Sequence, residues 1–175
     1  SFTNDDSVPE NGVNCFLPID NAVLVQAGSR GNIYSYNGEQ LVQFKRMAGN
    51  WTNTNEFNVW SEAKALYQNI PLFGVSNSSG NPIAQGVYSF GSYANNYPKV
   101  LNLEYIISQN KTTDIEITAI VVSGGDILVA WKDGATYGFD KVDWSNKYTA
   151  PFLETRMLNM DRAYQKDFEV KIGYR

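Results

Sequence analysis

The side chains in this sequence that could do chemistry are carboxylates. Asp114 and Glu116 point to one face of an expected strand, with Asp126 across a hairpin. Asp133, Asp140 and Asp143 follow, the last two flanking Val142 beside Trp144. Two carboxyl groups ~5–5.5 Å apart would serve a retaining glycosidase as acid and nucleophile. The competing reading is a set of solvated loop and edge carboxylates. It applies equally to Asp5-Asp6 in the polar N-terminal stretch. The weight of the pattern lies with this second reading, and no catalytic residue is assigned. The chain has 0 histidines, which removes Ser-His-Asp and Cys-His catalysis, His-ligated zinc and the usual general base near neutral pH. The single cysteine, Cys15, sits in the apolar run Val13-Asn14-Cys15-Phe16-Leu17 and reads as a small buried hydrophobe. Asp20-Asn21, Asp126 and Asp133 offer oxygen ligands, yet no Asp-x-Asp-x-Asp-Gly run organises them. Gly28-Ser29-Arg30-Gly31 belongs to a hairpin and not to the start of a phosphate-binding helix. No metal and no cofactor is therefore expected.

Aromatic side chains in polar loops are the stronger candidates for binding. Trp51 lies in Ala48-Gly49-Asn50-Trp51-Thr52-Asn53-Thr54-Asn55, and Tyr93 and Tyr97 lie in Gly91-Ser92-Tyr93-Ala94-Asn95-Asn96-Tyr97-Pro98. Trp144 follows Asp143, and Trp60 borders a further polar stretch. Rings beside amide side chains suit sugars or protein surfaces, because a rigid ring offers a large contact area at a small entropy cost. Trp51, Tyr93, Tyr97 and Trp144 form the candidate binding set. The alternative is that these rings pin the packing of one repeat on the next.

The elements that must position such loops are strands. The 175 residues are 43% hydrophobic and 14% aromatic, with only 18% charged, and Gly, Asn, Ser and Tyr are abundant. That mixture suits short strands joined by tight turns. The pattern Gly, Tyr, small residue, aromatic recurs in Gly31-Asn32-Ile33-Tyr34-Ser35-Tyr36, in Gly86-Val87-Tyr88-Ser89-Phe90 and in Gly134-Ala135-Thr136-Tyr137-Gly138-Phe139. The three tyrosines are spaced 54 and 49 residues apart, close to the kelch period. Apolar segments before and after each copy give about four strands per unit, the layout of a propeller blade. The expected fold is thus all-β: a β-propeller-like array of about three four-stranded antiparallel blades, with a β-sandwich as the alternative. The expected organisation is a polar segment 1–12, blades at 13–50, 51–110 and 111–158, and a closing strand or further β module at 159–175. Ser61 to Tyr67 could form a helical turn in place of a strand. Within the third blade, Ile120, Val122, Leu128 and Ala130 are expected to share the inward face.

The runs Asn21 to Gly38, Gln85 to Gly91, Asn96 to Ser108, Val129 to Asp143 and Phe152 to Arg156 resemble virion structural proteins of tailed bacteriophages. The most distinctive of them is Trp131-Lys132-Asp133-Gly134-x-x-Tyr137-Gly138-x-Asp140. The resemblance implies propeller-type repeats near the tail or adsorption apparatus, and no catalytic residues. It implies partners among other virion proteins or further copies of the chain, and a host-surface glycan or protein as target. The family's proteins are longer, so a fragment is expected. A net charge of −4 and the lack of any Lys/Arg cluster beyond Lys45-Arg46 argue against nucleic acid. No apolar run approaches the ~20 residues of a membrane span. The expectations are a non-catalytic tail or host-adsorption component in the virion, then a carbohydrate-binding propeller module, then a carboxylate-based glycan-cleaving enzyme.

Overall fold

The computed structural model describes residues 7–10, 12–19, 22–47, 51, 57–77, 85–92, 99–107, 115–143 and 145. The chain divides into two units, Ser1–Val142 and Asp143–Arg175, and all the described strands lie in the first. The fold is all-β, with no helix among the described residues.

Three antiparallel meanders follow one another along the chain. The first sheet runs β1 (Val13–Ile19), β2 (Ala22–Ala27), β3 (Asn32–Tyr36), β4 (Leu41–Arg46), in that order. The second contains β5 (Phe57–Asn58), β6 (Lys64–Tyr67), β7 (Ile70–Asn77), β8 (Gly86–Gly91) and β9 (Val100–Tyr105), with β5 and β6 both paired to β7. The third is β10 (Ile115–Ser123), β11 (Asp126–Asp133) and β12 (Thr136–Lys141). The segment expected to be helix or strand resolves into a turn at Ser61 to Ala63 followed by β6. The expected fourth strand of the third unit, Phe152 to Arg156, lies outside the described residues.

The two central strands of the second sheet, β7 and β8, are buried on both faces. Phe73 and Val75 of β7, with Tyr88 and Phe90 of β8, pack against Cys15, Leu17, Leu24 and Ile33 of the first sheet. Leu72 and Val87 point the other way and join Ile117, Ile120, Ile127, Val129 and Trp131 of the third sheet. This explains why β7 reads Ile-Pro-Leu-Phe-Gly-Val with no polar alternation: neither face is wet. The contact with the third sheet is close. A Cβ on Gly74 would come within 2.4 Å of Ile117 Cγ2, so only glycine lets the two sheets approach this far. Next to it, the buried Ser76 hydroxyl accepts from Ile117 N at 2.7 Å and donates to Ile117 O at 3.4 Å. The backbone N–H of Ile120 donates to Glu62 O at 3.0 Å.

The third sheet departs from the expected face. Gly124 and Gly125, at φ 61° and 91°, form a two-residue turn that pairs Ser123 with Asp126. That turn chemistry favours Gly because both central residues need positive φ. It puts Val122 opposite Ile127 and Ile120 opposite Val129. Ile120 and Val122 do face inward, but with Ile127, Val129 and Trp131. Leu128 and Ala130 lie on the outer face, because a shift of one residue exchanges the two sides of a strand.

The three repeat tyrosines all lie on the third strand of their meanders (β6–β9 in the second sheet). Tyr34 and Tyr88 are the third residues of β3 and β8 and are 5% and 9% exposed. Tyr137 is the second residue of β12, turns to the opposite face and is 71% exposed.

Among the described residues, one buried side chain is unsatisfied. Gln26 is fully buried in β2, opposite Cys15 and Ile33, and neither its amide nitrogen nor its oxygen has a hydrogen-bond partner. Gln26→Met keeps the volume and removes the desolvation penalty of ~1–3 kcal/mol, so the denaturation midpoint should rise. A fall would mean that Gln26 holds an enclosed water. For the register of the third sheet, Ile127→Ala should cost about 2–5 kcal/mol in denaturant unfolding and Leu128→Ala clearly less. The reverse order would place the core on the other side of β11.

Candidate interaction surface

Among the described residues, the carboxylates are not arranged for acid–base work between them; Asp114 lies outside the described residues. Asp126 and Leu128 lie on the outer side of β11, whereas Asp140, opposite Val129, lies on the inner side. Asp140 accepts from Trp131 Nε1 at 3.1 Å and from the Tyr105 hydroxyl at 2.6 Å, which ties β12 to β9. Asp133 is directly opposite Thr136, four residues from Asp140, or ~13 Å along the strand. That exceeds both glycosidase spacings, ~5–5.5 and ~6.5–9.5 Å. Glu116 and Asp126 share the outer face but stand at its two ends. Glu116 pairs with Lys132 at 3.3 Å and Asp126 with Lys141 at 2.7 Å. Asp143 accepts from the backbone N–H of Ser145 at 2.9 Å and also from its hydroxyl. Among the described residues, no group of three or more His, Cys, Asp or Glu could hold a metal ion. Cys15 is buried, and burial raises its thiol pKa despite the opposing charge of Lys64.

Of the aromatic binding set, Trp51 is a core residue. It is 5% exposed, its indole N–H donates to Met47 O at 3.0 Å, and its ring meets Phe57 edge-on with centroids 5.3 Å apart. A Cβ on Gly31 would come within 2.7 Å of its Nε1. Trp51 therefore packs the first sheet on the second, and its face is not offered to a ligand. A polar loop sequence does not reveal this, because the glycine that admits the ring lies 20 residues earlier. Tyr93, Tyr97 and Trp144 lie outside the described residues. Trp60 is exposed.

The exposed aromatic patch is instead on the outer face of the third sheet. Cross-strand pairing builds it in three rows, Glu116–Lys132–Tyr137, Ala119–Ala130–Phe139 and Val121–Leu128–Lys141. Tyr137 is 71% and Phe139 73% exposed, and Val121 is also exposed. Beneath β12, a Cβ on Gly138 would come within 2.4 Å of the Trp131 ring. The inner side is thus filled tightly while the outer side stands bare. Sequence reasoning placed Tyr137 and Phe139 in the repeat but not in the binding set. The two-residue turn at Gly134-Ala135, which sets Thr136 opposite Asp133, was the available signal for their outward face.

The first sheet treats its outer face differently. Val25, Ala27 and Tyr34 there are buried, with Val8 packed on them. Glu10 lies across Gly28 and binds two side chains of β3. Its Oε1 accepts from Asn32 Nδ2 at 2.6 Å, and the Tyr34 hydroxyl lies 2.7 and 2.9 Å from its two oxygens. Gly28 N donates to Gly12 O at 2.9 Å, which holds the same segment down. Burial, then the hydrogen bond to Glu10 and its negative charge, push the Tyr34 pKa up to about 12. Burial pushes Tyr88 up to about 12 as well.

No family model matches this chain, and no curated protein or solved structure is significantly similar to it. No helix of the described residues is long and apolar enough to cross a membrane.

The raised tyrosine pKa values fix the sign of an alkaline transition. An unfolded tyrosine ionises near ~10, so the stability these groups contribute is whole below that pH. It is lost as the pH rises from there through about 12. Denaturant midpoints should hold up to about pH 10 and then fall, and the fall should be shallower in Tyr34→Phe. An unchanged steepness in that variant would mean that folding does not raise the Tyr34 pKa.

Proposed function

We propose that this chain is a non-catalytic β module of a tailed-bacteriophage virion, part of the tail or its host-adsorption device, and that it works by docking. The uncovered aromatic face of the third sheet carries the docking part of this reading. An exposed apolar face with a charged rim is the signature of a surface made to be covered. The virion setting rests on the resemblance of Asn21 to Gly38, Gln85 to Gly91, Asn96 to Ser108, Val129 to Asp143 and Phe152 to Arg156 to virion structural proteins. The separation of the described carboxylates and the lack of histidine support the non-catalytic part.

Within this reading the three meanders are consecutive blades of a propeller-like array. Support comes from their order in the chain and from the packing of each sheet face on the next. Three blades are too few to close a ring, so the array needs a further surface beyond the third sheet. A second reading, glycan binding, is favoured by one observation: Tyr137 and Phe139 stand on one face, two residues or ~7 Å apart, as an aromatic platform. An antibody against the chain should label the tails of purified particles of the phage that encodes it. Particles that carry none of the protein would overturn the virion assignment. Binding of a glycan that Tyr137→Ala abolishes would favour the second reading.

A further inference from the structure

We infer that the outer face of the third sheet is a two-fold interface between copies of this chain, an inference that rests on the docking role proposed above and names the partner. Among the described residues, the three stacked sheets leave two outer faces that no further sheet covers. The one on the first sheet is closed by Val8 and by the bonds from Glu10 to Asn32 and Tyr34. A head-to-tail contact, third sheet onto first sheet of the next copy, would have to strip that segment away. A copy meeting a copy through the open face alone uses the same patch twice, which makes the contact isologous and closed.

The patch is built to complement itself. Its middle row sets the projecting Phe139 beside the two small residues Ala119 and Ala130. Under a two-fold axis, the ring of each copy seats over the alanine hollow of the other. The rim charges are balanced. Lys132 and Lys141 are matched by Glu116 and Asp126, so the patch meets its own image without net repulsion although the chain carries −4. Val121 and Leu128 add apolar surface beside the hollow. Three strands of this length make a face of roughly 26 by 14 Å. That is small against the ~800 Å² per partner of a standard interface, so the association must be weak and must depend on concentration.

Sedimentation velocity of the full chain over a range of concentrations tests this. A monomer–dimer equilibrium is expected. Phe139→Lys and, separately, Ala130→Leu, which fills the hollow, should each raise the dissociation constant by about tenfold or more. Val42→Lys, at an exposed site on β4, should leave it unchanged. Thermal midpoints equal to that of the parent chain establish that the variants fold. A chain that stays monomeric up to about 1 mM overturns the inference, and so does a dimer indifferent to both patch variants. Either result leaves the particle-labelling outcome untouched, so failure of the dimer is distinguishable from failure of the virion reading.

Discussion

The constraint on which the rest of the structure depends is the double burial of the central strands of the second sheet, β7 and β8. A sheet wet on one side alternates polar and apolar residues, and β7 does not. Its odd positions Phe73 and Val75 enter one core, and its even positions Leu72, Gly74 and Ser76 meet the third sheet. Each of the latter solves a different problem. Leu72 supplies apolar area, Gly74 removes the Cβ that would strike Ile117, and Ser76 satisfies the N–H of Ile117. With that N–H deep between two sheets, an unmet donor would cost about 1–3 kcal/mol. The first and third sheets are placed by this middle layer, and their remaining faces become the two ends of a stack.

The all-β character and much of the strand order were legible in the sequence. The strand positions followed from apolar segments bounded by Gly, Asn and Asp, and the recurring pattern of Gly, Tyr, small residue and aromatic marked the third strand of each meander. The side each residue faces was harder to read. Strand alternation alone fixes two sets per strand but not which set meets the core. For β10 and β11 that choice is made by the two-residue Gly124-Gly125 turn, which pairs Val122 with Ile127. Treating Leu128 and Ala130 as inward slips the register by one residue, and every side chain on β11 then changes sides. The same one-residue difference separates Tyr137 from Tyr34 and Tyr88. The repeat is therefore sound as a marker of strand order and misleading as a marker of environment.

Trp51 shows a different limit. Its neighbours in the chain, Asn50, Thr52 and Asn53, are polar, and local composition assigns it to a surface loop. Its partners are Gly31, Met47 and Phe57, brought together by the end of the first sheet and the start of the second. A large ring is held in the core by area burial and one hydrogen bond for its N–H, whatever surrounds it in sequence. Conversely, Tyr137 and Phe139 sit in a regular strand, where an aromatic residue ordinarily signals packing. They are exposed because nothing in the described chain lies over β12 on that side.

The two ends of the stack bear on how a β array limits its own growth. An open array of sheets has an apolar face at each end, and both are hazards for uncontrolled association. Here one end is sealed in a manner that is specific and not merely apolar. Glu10 cannot bind Asn32 and Tyr34 unless Gly28 leaves room for its side chain, and the backbone bond from Gly28 to Gly12 sets the register of the segment. That seal carries a part-buried hydroxyl–carboxylate contact, so lifting it would break a polar pair as well as expose the apolar face. The other end has only flanking ion pairs, which hold its rim in place and leave its centre open. Among the described residues, the outer face of the first sheet is held under Glu10 while that of the third leaves Phe139 exposed, so an added layer meets a barrier on one face that it does not meet on the other.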